Sequence, residues 1–176
     1  MSALARGFER MEVTKASLLQ SLAPLHAERL NRKPDAATWS IVQVIAHVTK
    51  SERGTLQYIR KKTQDPQALG RSGLIPWVRI AALSVGMRSP MRFRAPAAIA
   101  DVPETGDIKA LASAWSAVRD DWRGYVETFP AVLEDKLIFR HPFVGLLGPA
   151  QTMMFLNGHL ENHVRQIGRI RAALGV

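Results

Sequence analysis

Apolar residues recur along this chain at spacings of three and four, and four stretches keep that rhythm long enough to predict helices. The first runs from about Ala3 to Arg29, with Leu4, Phe8, Met11, Leu18, Leu22 and Leu25 on a stripe that only Lys15 interrupts. The polar run Asn31-Arg32-Lys33-Pro34-Asp35 ends it. Ser40 then reads as the N-cap of a second helix, because Gln43 three residues on completes a capping box and Trp39 and Val44 stand at the positions of a hydrophobic staple. Its core face is Ile41, Val44, Ile45, Val48, Thr55, Leu56 and Ile59, up to the break at Pro66.

The third pattern, about Ile108 to Phe129, places Ile108, Leu111, Trp115, Val118, Trp122, Tyr125 and Phe129 on one seam of the kind that helical bundles bury. The fourth opens at Pro149, a residue suited to the first helical position, and closes before Gly175. Met153, Leu156, Leu160, Val164, Ile167 and Leu174 form its stripe. Between the second and third helices lies an irregular stretch, Asp65 to Gly106, with a shorter helix expected around Ile75 to Met87. Such a long crossover means that helices two and three need not be antiparallel neighbours. No run of alternating strand residues stands out, so the expected fold is all-α, one domain over residues 1–176.

Composition narrows the chemistry. No cysteine is present, which excludes disulfides, a thiolate metal site and a cysteine nucleophile, so any thiol chemistry must use a thiol from outside. The first residues, Met1 to Glu12, lack the continuous apolar stretch of a signal peptide. The longest apolar stretch, Leu74 to Met87, is broken by Pro76 and Arg79 and is too short to span a bilayer. A cytoplasmic protein without a membrane span is the expectation. The formal charge of +9 favours anionic company, and Arg71, Arg79, Arg88, Arg92 and Arg94 crowd the middle region. No nucleic-acid-binding signature accompanies them, so nucleic acid is a poor fit, and a solvated surface or the mouth of a site for an anionic substrate fits better.

Candidate chemistry lies in the histidines. His159 and His163 are four apart on the last helix, hence one turn above each other on the same face, and can bind one metal ion together. His47 is the third candidate, on the second helix. At about 100° per residue, His47 falls to the flank of the stripe centred on Val48. His159 and His163 fall to one flank of the stripe centred on Leu160, with Gln166 a little beyond. Flanking positions border the groove between helices, where an ion stays open to solvent. The competing reading is of half-buried histidines bonded to backbone carbonyls. Glu52 and Glu161 read as solvated helix charges, or alternatively as groups that orient an imidazole. His26 reads as a cation near the first helix's C-terminus, and His141 as a loop residue before Pro142.

Trp39-Ser40, followed by His47-Val48 and Glu52, resembles the second-helix pattern of DinB-like proteins, the superfamily also typified by YfiT-type metal hydrolases. His141-Pro142-Phe143-Val144-Gly145, then Phe155, His159, His163, Gln166 and Ile167, is similar to that family's approach to its last helix and the helix itself. Asn162 departs from the pattern, standing where relatives often have a basic residue. The resemblance implies a four-helix bundle in up-down-down-up order, a divalent metal on His47, His159 and His163, zinc or nickel by ligand type, and often a homodimer. It implies a thiol-dependent S-transferase, in which a small-molecule thiol activated at the metal attacks a small electrophile. A hydrolase that activates water at the same site is the alternative, and a non-catalytic, stress-associated metal-binding dimer is the third.

Overall fold

A computed structural model describes residues 2–88 and 101–176, with the backbone alone for residues 87 and 88. Helix α1 spans Ala3–Leu22, and the Ser2 hydroxyl accepts from the Ala5 N–H at 3.1 Å to cap it. The helix expected to reach Arg29 in fact stops at Leu22, and a separate short helix, α2, follows at Ala27–Asn31. Pro24 explains the break, since it has no N–H to give and its ring would clash with the preceding turn. His26 therefore sits at the N-terminal boundary of α2, not at a helix C-terminus, and the macrodipole role expected for it is lost.

Helix α3, Ile41–Lys62, starts where the capping box predicts: the Gln43 N–H donates to the Ser40 hydroxyl at 3.4 Å and the Ser40 N–H to Gln43 Oε1 at 3.1 Å. Helix α4, Leu74–Arg88, lies close to the expected short helix in the crossover. Helix α5, Ile108–Glu127, is capped by the Asp107 carboxylate, which accepts from the Ala110 N–H at 2.7 Å. Helix α6, Pro149–Leu174, ends at Gly175, whose φ of 68° is the left-handed conformation that closes helices. A two-stranded antiparallel hairpin was not expected: β1, Phe139–His141, pairs with β2, Gly145–Leu147. Strands of three residues are too short to register as an alternating pattern, and Gly145 turns back with a φ of 76°.

The helix directions follow from which residues meet. Lys15 bonds Ser116 while Glu12 bonds Arg119 and Arg123, so α5 runs against α1. Asn157 donates to the Gly7 carbonyl while Arg10 reaches Glu161, so α6 runs with α1. Glu52 bonds Arg119 while Arg60 bonds Asp121, so α3 runs with α5. The order is up-down-down-up over α1, α3, α5 and α6. Helices α1 and α3 each pack on both α5 and α6. A Cβ at Gly7 would lie 2.6 Å from Met153 Cβ, so the close approach of α1 and α6 depends on that glycine.

The predicted stripes fill the interior, with Trp115 and Trp122 fully buried beside Ile41, Ile45, Ile59 and Leu160. One charge does not behave as predicted. Glu52 is 1% exposed and accepts from Arg119 Nε at 2.7 Å and from Trp115 Nε1 at 2.8 Å. Burial requires such partners, and Arg119, itself fully buried, also donates to Glu12 at 2.9 Å. Glu161 pairs with Arg10 at the surface. Of the arginine-rich region, Arg71 pairs with Asp135 at 2.7 Å. Arg92, Arg94 and the side chain of Arg88 lie outside the described residues.

Candidate metal centre

The groove between α3 and α6 brings the three candidate histidines together. One ring nitrogen each from His47, His159 and His163 lies within 4.8 Å of the others, and His159 Nε2 and His163 Nε2 are 3.1 Å apart. Two zinc-bound imidazole nitrogens, each about 2.0–2.1 Å from a tetrahedral ion, stand roughly 3.3 Å from one another. The spacing on α6 therefore suits a shared ion, and a ring nitrogen of His47 lies within 4.8 Å of both. Helix geometry brings the pair together because residues four apart overlap, while the α3–α6 packing supplies the third ring.

Neighbouring side chains hold the rings. His163 Nδ1 donates to Gln166 Oε1 at 2.7 Å, which leaves the lone pair on Nε2, the nitrogen that faces His159. Trp39 stands 5.0 Å from the His47 ring, centroid to centroid, and Phe155 stands 5.5 Å from His159. Trp39 was expected to staple the helix start, and it also walls the site.

His47 and His163 are more deeply buried than a solvent-facing flank suggests, while His159 keeps part of its surface exposed and marks the open side. The electrostatics favour neutral imidazoles. Burial pushes His163 down to about 4, assisted by His47 and Arg169 and opposed by the Gln166 hydrogen bond. Close packing around the inner part of His159 holds its pKa well below the usual histidine range, and His163, His47 and His141 push the same way. Neutral nitrogens are what a divalent cation needs, and the donor set contains no thiolate or carboxylate. These residues fit a divalent metal ion.

A fourth histidine joins the neighbourhood. His141, read from sequence as a loop residue, sits at the end of β1 with its ring 4.5 Å from Phe155, centroid to centroid. Its Nδ1 accepts from the N–H groups of Phe143 at 3.2 Å and Val144 at 3.4 Å, and burial lowers its pKa to about 4. Only the His-Pro-Phe-Val-Gly motif signalled its place near the site. Glu52, read from sequence as a solvated charge or as a group orienting an imidazole, is buried and engaged by Arg119 and Trp115.

No curated protein matches the chain. Its fold is similar to that of YfiT from Bacillus subtilis, described as a probable metal-dependent hydrolase with an unusual four-helix bundle topology. The TM-score is 0.65 over 98% of this chain and 87% of YfiT, at 13% sequence identity. The family model of the DinB superfamily matches residues 10–167, a span that takes in all three clustered histidines. By that match this chain belongs to the DinB superfamily.

Proposed function

We propose that the chain is a divalent-metal enzyme with His47, His159 and His163 as the metal ligands, transferring a low-molecular-weight thiol onto a small electrophile. The observation that carries the metal site is the convergence of three ring nitrogens within 4.8 Å, on rings from two helices. A divalent cation held there supplies Lewis acidity, which lowers the pKa of a thiol or water that reaches it and orients the nucleophile. The chain's own part is positional. Gln166 fixes the tautomer of His163, Trp39 and Phe155 restrict the rings of His47 and His159, and burial keeps competing protons away. The absence of cysteine is consistent with a thiol supplied from outside.

The likeness to YfiT supports a second reading, hydrolysis at the same site. The setting proposed is cytoplasmic, as one domain that pairs with a second copy. Among the described residues no helix is long and apolar enough to cross a membrane.

The test has two stages. Elemental analysis of wild type and of His47→Ala, His159→Ala and His163→Ala decides the ligands, and undiminished metal in all three variants overturns them. The loaded protein is then offered a chloro-nitroaromatic or a maleyl acid with glutathione, bacillithiol, mycothiol or coenzyme A in turn. Acceleration by one thiol, lost in His47→Ala, supports the transferase. Ester or amide hydrolysis without thiol establishes the second reading in its place, and inactivity in both assays leaves the non-catalytic metal-binding bundle.

A further inference from the structure

Helix α4 is apolar on every side, and only one side of it is covered. Its 15 residues, Leu74–Arg88, include no acidic group. Ile80 is fully buried, and α4 packs on α6 and β2. Val78 stands two residues before Ile80, roughly 200° around the helix, and so points away from the bundle. Leu74, Val78 and Val85 make an outward stripe, 82%, 69% and 71% exposed. Ala81 and Ala82, also exposed, complete it. The polar residues of this stretch, Arg79 and Ser84, fall roughly 100° and 120° to either side. The Ser84 hydroxyl donates to the Ile80 carbonyl at 2.8 Å, so no polar side chain breaks the stripe.

A helix that is apolar all round belongs in a core or in hydrocarbon, and an exposed apolar patch of this kind marks an interaction surface. Charge decides what covers it. From Pro66 to Ala100 the sequence holds five arginines and no aspartate or glutamate, in a chain of net charge +9. Arg71 is taken up by Asp135, but the exposed Arg79 forms no ion pair among the described residues. Its guanidinium lies beside the turn of the hairpin, since a Cβ at Gly145 would stand 3.3 Å from Nη1, and Phe143 of that turn is exposed. Trp77, 45% exposed, flanks the stripe on the other side. A second copy on this face would set arginine against arginine. A leaflet with anionic headgroups supplies the opposite charge, takes apolar side chains into its acyl boundary and favours aromatic rings at headgroup depth. Leu74 to Val85 rises only about 16 Å, roughly half the hydrocarbon thickness, so the stripe fits the plane of the interface and does not span it.

We propose that α4 docks the protein on the surface of a bilayer that carries anionic lipid, with Leu74, Val78 and Val85 entering the acyl boundary and Arg79 on the headgroups. The test is flotation of the full chain with vesicles of phosphatidylglycerol and phosphatidylcholine in equal parts, against vesicles of phosphatidylcholine alone. Partition into the anionic vesicles should be at least about tenfold stronger, because each basic residue near such a surface adds to the attraction. The double variant Val78→Ser with Val85→Ser leaves the charge untouched and should lose at least about tenfold in that partition. Both side chains are exposed, so its thermal melt should match the wild type. Lipid with brominated acyl chains should quench Trp77, whereas Trp115 and Trp122 are fully buried and out of its reach. Trp77→Phe should therefore still float and should lose the quenching. Equal partition into both vesicle types, undiminished partition of the double variant, quenching retained in Trp77→Phe, or no flotation at all would each overturn the proposal. So would a wild-type dimer that becomes a monomer in the double variant, since that result puts a second copy on this face.

Discussion

Gln166 Oε1 accepts from His163 Nδ1 at 2.7 Å, and the other nitrogen of that ring faces His159 Nε2 at 3.1 Å. One side chain, a single turn further along α6, thus decides which imidazole nitrogen is offered to an ion. Replacing Gln166 with leucine keeps the bulk and removes the acceptor. Metal affinity is expected to fall by about 10–100-fold, the usual cost of losing such a partner, with helicity unchanged. Competition against a chromogenic chelator measures it, and an unaltered affinity would show that packing alone aims the ring.

Removing the metal should leave the bundle standing. The core of α1, α3, α5 and α6 is built from apolar stripes, and the histidines border it without forming it. Stability should then change only by ligand linkage, about 2.7 kcal/mol when free metal exceeds its Kd by 100-fold. Circular dichroism and thermal melts with and without a chelator read this directly. Loss of helicity on chelation would assign the metal a structural role.

Periodicity made the bundle legible. The stripes of α3 and α5, the capping box at Ser40 and the Pro149 and Gly175 boundaries all appear where apolar spacing and terminal residues place them. The break at Leu22 was missed because the apolar rhythm continues through Leu25, although Pro24 stood in plain view. Glu52 and Arg119 were illegible for a different reason: each is charged, and only a partner from another helix makes burial tolerable. The histidine cluster could be expected from spacing on α6, but the meeting with His47 depends on packing between helices far apart in sequence. His141 required a hairpin whose three-residue strands leave no pattern.

The buried histidines should make the metal-free protein sensitive to mild acid. His141 and His163 sit at about 4 in the folded chain, below the ordinary 6.5. Between those values the unfolded chain binds more protons. Their contribution is therefore fully present above pH 6.5 and is lost as pH falls towards about 4. Each group adds a slope of up to about 1.4 kcal/mol per pH unit in that window. Urea unfolding of chelated wild type and His141→Asn at several pH values isolates one of them, since carboxylate titration is common to both. A shallower slope in the variant is expected, and identical slopes would mean that His141 is not held neutral by burial.

Arg119 and Glu52 set the last expectation, because their pairing is buried in the bundle and joins two of its helices. Arg119→Met leaves the Glu52 carboxylate buried with Trp115 Nε1 as a remaining donor but without its guanidinium partner. Uncompensated burial of that charge should cost about 3–5 kcal/mol in urea unfolding. Adding Glu52→Gln removes the charge while keeping an oxygen that can accept from Trp115, so the double variant should be more stable than Arg119→Met alone. Below its melting temperature each variant should still bind metal at the wild-type stoichiometry, because both Glu52 carboxylate oxygens are taken up by Arg119 and Trp115. A double variant less stable than the single one would show that the pair contributes through shape and packing more than through charge, and metal loss in folded Arg119→Met would tie the core network to the site.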